Sequence, residues 1–349
     1  MARREALKAL VLQGGGALGA YELGVARALY HDRTYVPDLI AGVSIGAVTA
    51  ALLARPKNGD PLATLEAFWR KVALPADFLL PAFRPYASLF GDPAFFRPRL
   101  DLFAFPFWTS LYETDPLRAT LTDLLDLDAL ADRSARPHVL LTATDIAAGE
   151  IRAFDSADES LTLDHILASG SLPPNFPMTE VDGTAYWDGG IFDNTPLGAV
   201  IERMNPDRAV KDERQIVVVN LFPNEGPIPE NMGDVGQRML NLLFANKTRS
   251  DLKLLRRFNG VAALIELIES DDRWKDLRAT EAYAAANRGY ITVPTIVEIT
   301  RSTPAEGSAS GDFSPGTIAT LAEQGEKDAS EKLGQMAKAP RRDSSRAFG

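Results

Sequence analysis

A serine between two glycines is the first feature of this chain that could carry out chemistry. Residues 42–46 read Gly-Val-Ser-Ile-Gly, and this pattern is typical of a nucleophile elbow, a sharp strand-to-helix turn that exposes a serine hydroxyl. Gly42 and Gly46 would allow the sharp turn and the close approach of helix to strand. Ser44 is therefore a candidate nucleophile, and it needs a base.

The base is the difficulty, because a histidine that follows the acid normally serves an elbow serine. The chain contains only three histidines, at His31, His138 and His165. One hypothesis is a triad of Ser44, Asp145 and His165, although the amphipathic pattern around His165 equally predicts an ordinary helix position. The other is that an aspartate takes the serine proton directly. Asp188 is the best candidate, although an Asp-Gly-Gly sequence is also typical of a plain β-turn.

A glycine-rich loop precedes the elbow. Residues 14–19 read Gly-Gly-Gly-Ala-Leu-Gly, follow a predicted strand and open a predicted helix. On its own this is a dinucleotide-binding fingerprint, in which backbone N–H groups at a helix N-terminus receive an anion. A dinucleotide site also needs an acid at the end of the second strand, whereas Asp38 stands at its start and the elbow at its end. We therefore expect the loop to receive an oxyanion beside Ser44.

The order of predicted elements indicates the fold class. Apolar segments predict buried strands at residues 7–13, 38–43, 138–144 and 215–222. Helical patterns cover residues 18–30, 45–54, 161–169, 233–259 and 315–333. Strands alternating with helices imply a parallel sheet covered on both faces. We predict a three-layer α/β/α fold with a mostly parallel central sheet and a helical C-terminal extension.

Composition changes along the chain and suggests a division into regions. We expect a catalytic domain at residues 5–230, a helical extension packed on it at 231–335, and a disordered tail at 336–349. Residues 78–112 are rich in aromatics and prolines, and form either an acyl pocket or lid or a satellite core. The basic and apolar helix near residues 241–258 either faces solvent or contacts a membrane or a partner.

Composition also limits the function. The net charge of −10 argues against nucleic acid as a partner, since phosphate binding needs a basic surface. Without cysteine there are no disulfides and no thiolate sites, and with three histidines we expect no metal and no cofactor. Neither a signal peptide nor a transmembrane segment is expected. We therefore expect a cytoplasmic protein with an acyl lipid or ester as substrate and transient contact with a membrane surface. Association of the chain into a homo-oligomer is left as an alternative to a monomer.

Three motifs in this order, residues 14–19, 42–46 and 188–190, resemble the patatin-like phospholipase family, in its bacterial form with a helical C-terminal extension. The resemblance covers about residues 7–196 and implies a patatin-like fold, a Ser-Asp dyad and no catalytic histidine. Ser44 would be the nucleophile and Asp188 the base of a carboxylic ester hydrolase that cleaves acyl lipids through an acyl-enzyme. The oxyanion hole would be formed by Gly14, Gly15, Gly16 and Ile45. The motifs are completed by Gly19, Gly42, Gly46, Gly189 and Gly190.

One position departs from the family pattern. Leu18 stands where many members carry Arg or Lys, and the missing charge favours neutral esters or lysolipids over anionic head groups. Two other classes remain as alternatives. An acyltransferase or thioesterase of the same elbow type would carry a histidine beside the serine, where this chain has Val43, and a later catalytic histidine. A non-catalytic nucleotide- or lipid-binding module would use the glycine loop alone.

Overall fold

A computed structural model describes residues 7–31, 35–204, 214–223, 225–230, 232–287, 295–301 and 310–338. The strands are β1 (Leu7–Leu12), β2 (Leu39–Gly42), β3 (Arg97–Pro98), β4 (Tyr112–Glu113), β5 (His138–Asp145), β6 (Glu150–Asp155), β7 (Thr179–Val181), β8 (Thr184–Asp188), β9 (Arg214–Asn220) and β10 (Thr295–Thr300). The helices are α1 (Ala20–His31), α2 (Ile45–Ala54), α3 (Pro61–Lys71), α4 (Asp115–Leu124), α5 (Leu127–Ala131), α6 (Leu163–Ser169), α7 (Leu197–Arg203), α8 (Met232–Ser270), α9 (Lys275–Arg278), α10 (Glu281–Asn287) and α11 (Pro315–Lys338). Short 3₁₀ segments lie at Gly16–Gly19, Pro81–Phe90, Leu102–Phe107, Gly189–Ile191 and Asp272–Trp274.

The central sheet is mostly parallel and brings the two glycine-containing turns to one edge. Its strand order is β10-β9-β1-β2-β5-β8-β7, with β6 also paired to β5. All neighbours from β10 to β5 are parallel, and β6, β7 and β8 add antiparallel pairs. Leu12 and Gly42 are partners in the β1–β2 register. The loop after Leu12 and the elbow after Gly42 therefore leave the sheet side by side.

Helices cover both faces of the sheet. Alternate residues of β1 point to opposite sides: Leu10 and Leu12 belong to the larger apolar core, with α1 and α2. Ala9 and Val11 belong to the second core, with α7. The predicted α/β fold with a mostly parallel sheet and a helical C-terminal region is thus confirmed.

The C-terminal region also contributes a strand that the sequence pattern did not predict. β10 runs parallel to β9, with Thr295 opposite Gln215 and Thr300 opposite Asn220. The central sheet therefore continues across the boundary predicted at residue 230, and that division stays a prediction. The last helix extends to Lys338, and the rest of the predicted tail, residues 339–349, lies outside the described residues.

The helix α11 packs against α1 with backbone contacting backbone. If Gly24 were replaced by a residue with a side chain, the added Cβ would lie 1.8 Å from the Ala322 carbonyl oxygen. A Cβ added to Gly325 in the same way would lie 2.1 Å from the Tyr21 carbonyl oxygen. The Tyr21 hydroxyl donates to Asp328 at 2.8 Å. Because α1 follows the glycine loop directly, α11 supports the element that carries this loop.

The aromatic segment 78–112 is divided between core and surface. Phe95 and Phe96 are buried and pack against each other and against Phe176. Most of the other aromatic side chains of the segment are exposed. The predicted satellite core therefore holds for only a few of its residues. In the described part of the chain, no helix is long and apolar enough to cross a membrane.

Candidate active site

Ser44 occupies the sharp turn between β2 and α2. Its φ of 56° and ψ of −125° are strained for a residue with a side chain, a feature that recurs at functional sites. A Cβ on Gly42 would lie 2.1 Å from the Gly46 carbonyl oxygen, and one on Gly46 would lie 2.6 Å from the Leu12 carbonyl oxygen. The two glycines therefore permit the turn, as the G-x-S-x-G pattern predicts.

Asp188 ends β8 and lies beside Ser44. Its side chain is only 2% exposed, and its Oδ1 accepts the Gly190 N–H at 2.7 Å. The Ser44 hydroxyl lies within hydrogen-bonding reach of the carboxylate. Burial raises the pKa of Asp188 to about 6, although the hydrogen bonds from Ser44 and Gly190 pull this pKa down. The carboxyl group is therefore a stronger base than a solvated aspartate, and it is ionised at neutral pH.

The C-terminal end of α6 holds both of these residues through their backbones. The Ser44 N–H donates to the carbonyl oxygen and to the Oγ of Ser169, each at 3.1 Å. Two residues later, the Ser171 carbonyl accepts the Asp188 N–H at 3.0 Å. The Ser169 Oγ itself donates to the Thr142 carbonyl at 2.7 Å. Sequence reasoning missed this support, and its only signal was a pair of serines around a glycine before the proline-rich turn.

Asn194 connects the aspartate turn to the glycine loop. Its side-chain Nδ2 donates to the Gly14 carbonyl at 3.0 Å, and its backbone carbonyl accepts the Gly14 N–H at 3.3 Å. A Cβ on Gly190 would lie 2.7 Å from the Asn194 Oδ1, and one on Gly189 would lie 2.5 Å from the Thr142 carbonyl oxygen. The two glycines after Asp188 are thus required by close packing on both sides of the turn.

The glycine loop presents backbone N–H groups next to Ser44. A Cβ on Gly14 would lie 3.0 Å from the Ser44 Cβ, and one on Gly19 would lie 2.7 Å from the Ile45 Cγ1. Within the described ranges, the N–H groups of Gly15, Gly16 and Ile45 have no acceptor. The Gly14 N–H differs from these three, because the Asn194 carbonyl occupies it. Three of the four N–H groups predicted for the oxyanion hole therefore have no hydrogen-bond partner among the described residues.

A segment from the C-terminal region closes one side of this loop. The Ala17 N–H donates to the Ser310 carbonyl at 2.8 Å. The same carbonyl oxygen would lie 2.5 Å from a Cβ on Gly16, whose φ is +58°. A side chain at position 16 would therefore be both strained and obstructed. Nothing in the sequence pattern connected residues 16 and 310.

Gln13 is a second buried support that sequence reasoning missed. It is fully buried directly before the loop. Its Oε1 accepts the N–H groups of Leu221 and Phe222, at 2.6 Å and 3.1 Å. Its Nε2 donates to the Thr195 Oγ1 at 3.0 Å. The start of the glycine loop is therefore held to the end of β9 and to the residue after Asn194.

The alternative triad is not assembled. The His165 Nδ1 accepts the Thr162 N–H at 3.0 Å, which caps the first turn of α6, whereas Ser169, which contacts Ser44, ends that helix. The Asp145 Oδ1 accepts the N–H groups of Ala147 and Ala148 in a tight turn. Burial lowers the pKa of His165. The hypothesis that His165 serves Ser44 is therefore wrong in this structure.

Leu18 also differs from its predicted role. Its side chain is completely buried and belongs to the main apolar core. Position 18 therefore does not offer a side chain to a head group, and the absence of a cation there indicates little about substrate charge. In the same described residues, no cluster of His, Asp and Glu is arranged to hold a metal ion.

The chain was compared in structure and in sequence with known proteins and protein families. In three dimensions the chain is similar to VipD from Legionella pneumophila, with 16% identity, a TM-score of 0.45 and coverage of 95% of this chain and 67% of VipD. It is also similar to the ExoU-SpcU complex from the type III secretion system of Pseudomonas aeruginosa, with 15% identity, a TM-score of 0.34 and coverage of 96% of this chain and 53% of the matched chain. The chain thus spans about half the length of that second chain. No curated protein matches it in sequence. The family model described as Patatin-like phospholipase matches residues 10–201, more than half of the 349 residues, and the chain therefore belongs to the patatin-like phospholipase family.

Proposed function

We propose that this protein hydrolyses carboxylic esters of acyl lipids, with Ser44 as nucleophile and Asp188 as its base. The observation that carries the proposal is the contact of the Ser44 hydroxyl with a buried carboxylate whose pKa is raised to about 6. Membership of the patatin-like phospholipase family supports lipid acyl hydrolysis as the reaction class.

In the first half of the proposed reaction, the Ser44 Oγ attacks the ester carbonyl carbon while Asp188 accepts the hydroxyl proton. The carbonyl oxygen becomes an oxyanion and accepts hydrogen bonds from the N–H groups of Gly15, Gly16 and Ile45. One such donor is worth on the order of 10²–10³ in rate. The bond to the leaving oxygen then breaks, and Asp188 returns its proton to the departing alcohol. The acyl group remains on Ser44.

In the second half, a water molecule replaces the alcohol. Asp188 accepts a proton from the water as its oxygen attacks the acyl carbon. The same three N–H groups stabilise the second oxyanion, and the bond to the Ser44 Oγ breaks. Ser44 takes the proton back from Asp188, and the free acid leaves. A single carboxyl group thus carries both proton transfers, and no histidine is needed.

The test is hydrolysis of a short, soluble p-nitrophenyl ester by three variants. Asp188→Asn keeps an acceptor for the Gly190 N–H but loses the base, so kcat should fall by about 10²–10⁴-fold. Ser44→Ala should fall to the uncatalysed background. His165→Ala is the control, because that ring lies in a helix cap, and its kcat should stay within a few-fold of wild type.

The opposite pattern, with activity lost in His165→Ala and kept in Asp188→Asn, would refute the proposed dyad. Labelling of Ser44 by a fluorophosphonate probe separates the enzyme from the non-catalytic binding module. Wild type should be labelled and Ser44→Ala should not. Release of free acid in water, and not transfer of the acyl group to an added alcohol or thiol, separates the hydrolase from an acyltransferase.

A further inference from the structure

The aromatic segment carries a set of apolar side chains that project from the protein. Four phenylalanines are 84–91% exposed, and they are Phe78, Phe90, Phe103 and Phe107. Leu80, Phe83, Tyr86, Leu89, Leu100 and Phe105 are also exposed. We call these ten side chains the aromatic surface. Monomeric proteins rarely expose so many large apolar side chains within one short segment unless a partner covers them.

The two parts of the aromatic surface share one base. The 3₁₀ segment Pro81–Phe90 precedes β3, and the segment Leu102–Phe107 lies in the connection between the antiparallel strands β3 and β4. The Tyr112 hydroxyl on β4 donates to the Leu89 carbonyl at 3.1 Å. A Cβ on Gly91 would lie 2.7 Å from the Pro98 Cδ. The projecting side chains therefore stand on a common, hydrogen-bonded support.

The charges within this segment are few and are neutralised locally. Residues 102–111 contain no charged residue, and residues 78–91 contain only Arg84, which lies 3.9 Å from Asp77. Arg97 pairs with Glu113 at 2.7 Å and with Asp115 at 3.0 Å. Arg99 pairs with Asp101 at 2.7 Å. No arginine of the segment is thus left to attract an anionic head group.

The base of the aromatic surface also contacts the segments that hold the site. The N–H groups of Leu111 and Tyr112 donate to the carbonyls of Pro174 and Asn175, at 3.0 Å and 2.9 Å, a few residues after the serines that anchor Ser44 and Asp188. A Cβ on Gly311 would lie 3.2 Å from the Ser88 Oγ, next to Ser310, whose carbonyl accepts the Ala17 N–H. The segment that carries the aromatic surface therefore contacts chain neighbours of Ser171 and Ser310, which hold the Asp188 turn and the glycine loop.

We propose that the aromatic surface inserts into the interface of a lipid bilayer with little net charge, and so brings the Ser44 site to its substrate. This inference rests on the proposed function for the identity of the substrate. Phenylalanines that project singly suit fluid hydrocarbon, which adapts to any shape, whereas a protein partner would need a matching pocket for each ring. A net charge of −10 opposes attraction to anionic lipid. Because the arginines of the aromatic segment are paired with carboxylates, they do not form a local basic patch that would attract such lipid.

The test is flotation with phosphatidylcholine vesicles, using the full chain carrying Ser44→Ala so that the vesicles stay intact. The variant replaces Phe78, Phe90, Phe103 and Phe107 by Ser. The control places four Ser substitutions at exposed apolar positions of α8, namely Met239, Leu242, Leu243 and Leu264. We expect the aromatic variant to lose at least about 100-fold in partition coefficient, because each buried phenylalanine contributes a large transfer free energy. The α8 control should bind like the parent, in 1 M NaCl as well.

Three results would overturn the proposal. The aromatic variant could bind as tightly as its parent, or binding could require phosphatidylserine and disappear in high salt. Sedimentation could show a dimer that the variant abolishes, without vesicle binding by either protein, which would make a second copy of this chain the occupant.

Failure of the proposed function can be distinguished from failure of the membrane proposal. With Ser44 intact, the aromatic variant should keep its kcat/KM for a soluble short ester within about twofold, since its substitutions lie on the surface. A chain that binds vesicles but hydrolyses no soluble ester would refute only the enzyme.

Discussion

The chemistry at the level of single residues depends on where Asp188 is placed. A solvated aspartate has a pKa of about 3.9 and is a weak base. Here the side chain is 2% exposed and has no cation as a partner among the residues that the structure describes, so burial raises its pKa to about 6. A base is most effective when its pKa approaches the working pH. The same burial that makes the carboxylate costly to ionise therefore makes it useful to Ser44.

This environment predicts both a pH profile and a stability effect. Below pH 6 Asp188 is protonated and cannot accept the Ser44 proton, so kcat/KM for a soluble ester should fall about tenfold per pH unit on the acid side. Because the folded pKa lies above the unfolded value, ionisation destabilises the fold. That cost is absent at pH values below the unfolded pKa, grows as the pH rises towards about 6, and is fully present above it. A shift from 3.8 to about 6 corresponds to about 3 kcal/mol.

Asp188→Asn should consequently raise the free energy of unfolding at pH 8, by up to about 3 kcal/mol, while it removes activity. At pH 4 the two proteins should differ little in stability. Thermal or denaturant unfolding at both pH values measures this difference. If Asp188→Asn were destabilised equally at pH 4 and pH 8, the carboxyl group would have only a structural role.

At the level of elements, the site depends on a helix pair that is distant in sequence. The glycine loop leads into α1, and α11 contacts the backbone of α1 at Gly24 and Gly325. Helices normally pack with axes about 8–10 Å apart, with side chains between them. Contact between backbones needs glycine on both helices. Any side chain at these two positions must push the helices apart, and α1 would then move the loop that it carries.

Gly24→Ala should therefore destabilise the protein, although alanine favours a helix by about 1 kcal/mol over glycine. Its Cβ would overlap backbone atoms of Ala322 and Glu326, and overpacking costs typically about 1–3 kcal/mol or more. The matched control is Gly334→Ala in the partner helix α11, where an added Cβ meets nothing within 4 Å. This control should be neutral or more stable. Denaturant unfolding compares the two, and equal stability of both variants with wild type would contradict the packing.

At the scale of the whole molecule, local signals predicted the parts and missed the connections. The strand-helix pattern predicted α2 and the strands β1, β2, β5 and β9 of a mostly parallel sheet, since buried parallel strands are short apolar runs, but it did not predict the order of these strands. It also predicted Ser44 and Asp188, which the structure brings together. The contacts of Gln13 with Leu221, of Ser169 with Ser44 and of Ser310 with Ala17 join residues more than 100 positions apart. Such contacts leave no periodic signal in the sequence. β10 was missed for a different reason, because its sequence Thr-Ile-Val-Glu-Ile-Thr is interrupted by polar residues and forms no continuous apolar run.

We expect the cooperative folding unit to extend beyond residue 230. A chain ending at residue 230 retains the predicted catalytic domain but loses β10, α11 and the Ser310 carbonyl. It would uncover the edge of β9 and the apolar side chains that Phe313, Ile318 and Leu321 now contact in the main core. Burial of each of these three side chains contributes about 1.5–3 kcal/mol, and the whole fold is typically stable by only about 5–15 kcal/mol. The edge of β9 would also expose unpaired backbone groups, which favours aggregation.

We therefore expect the 1–230 chain to be insoluble or to unfold without a cooperative transition, whereas a chain ending at residue 338 should melt like the 349-residue chain. Soluble yield, thermal unfolding and fluorophosphonate labelling of Ser44 measure the difference. A monomeric 1–230 chain with a cooperative transition and a labelled Ser44 would mean that the C-terminal region is an independent addition. The structure favours the opposite, because the sheet, the helix pair and the glycine loop all draw on residues from both sides of position 230.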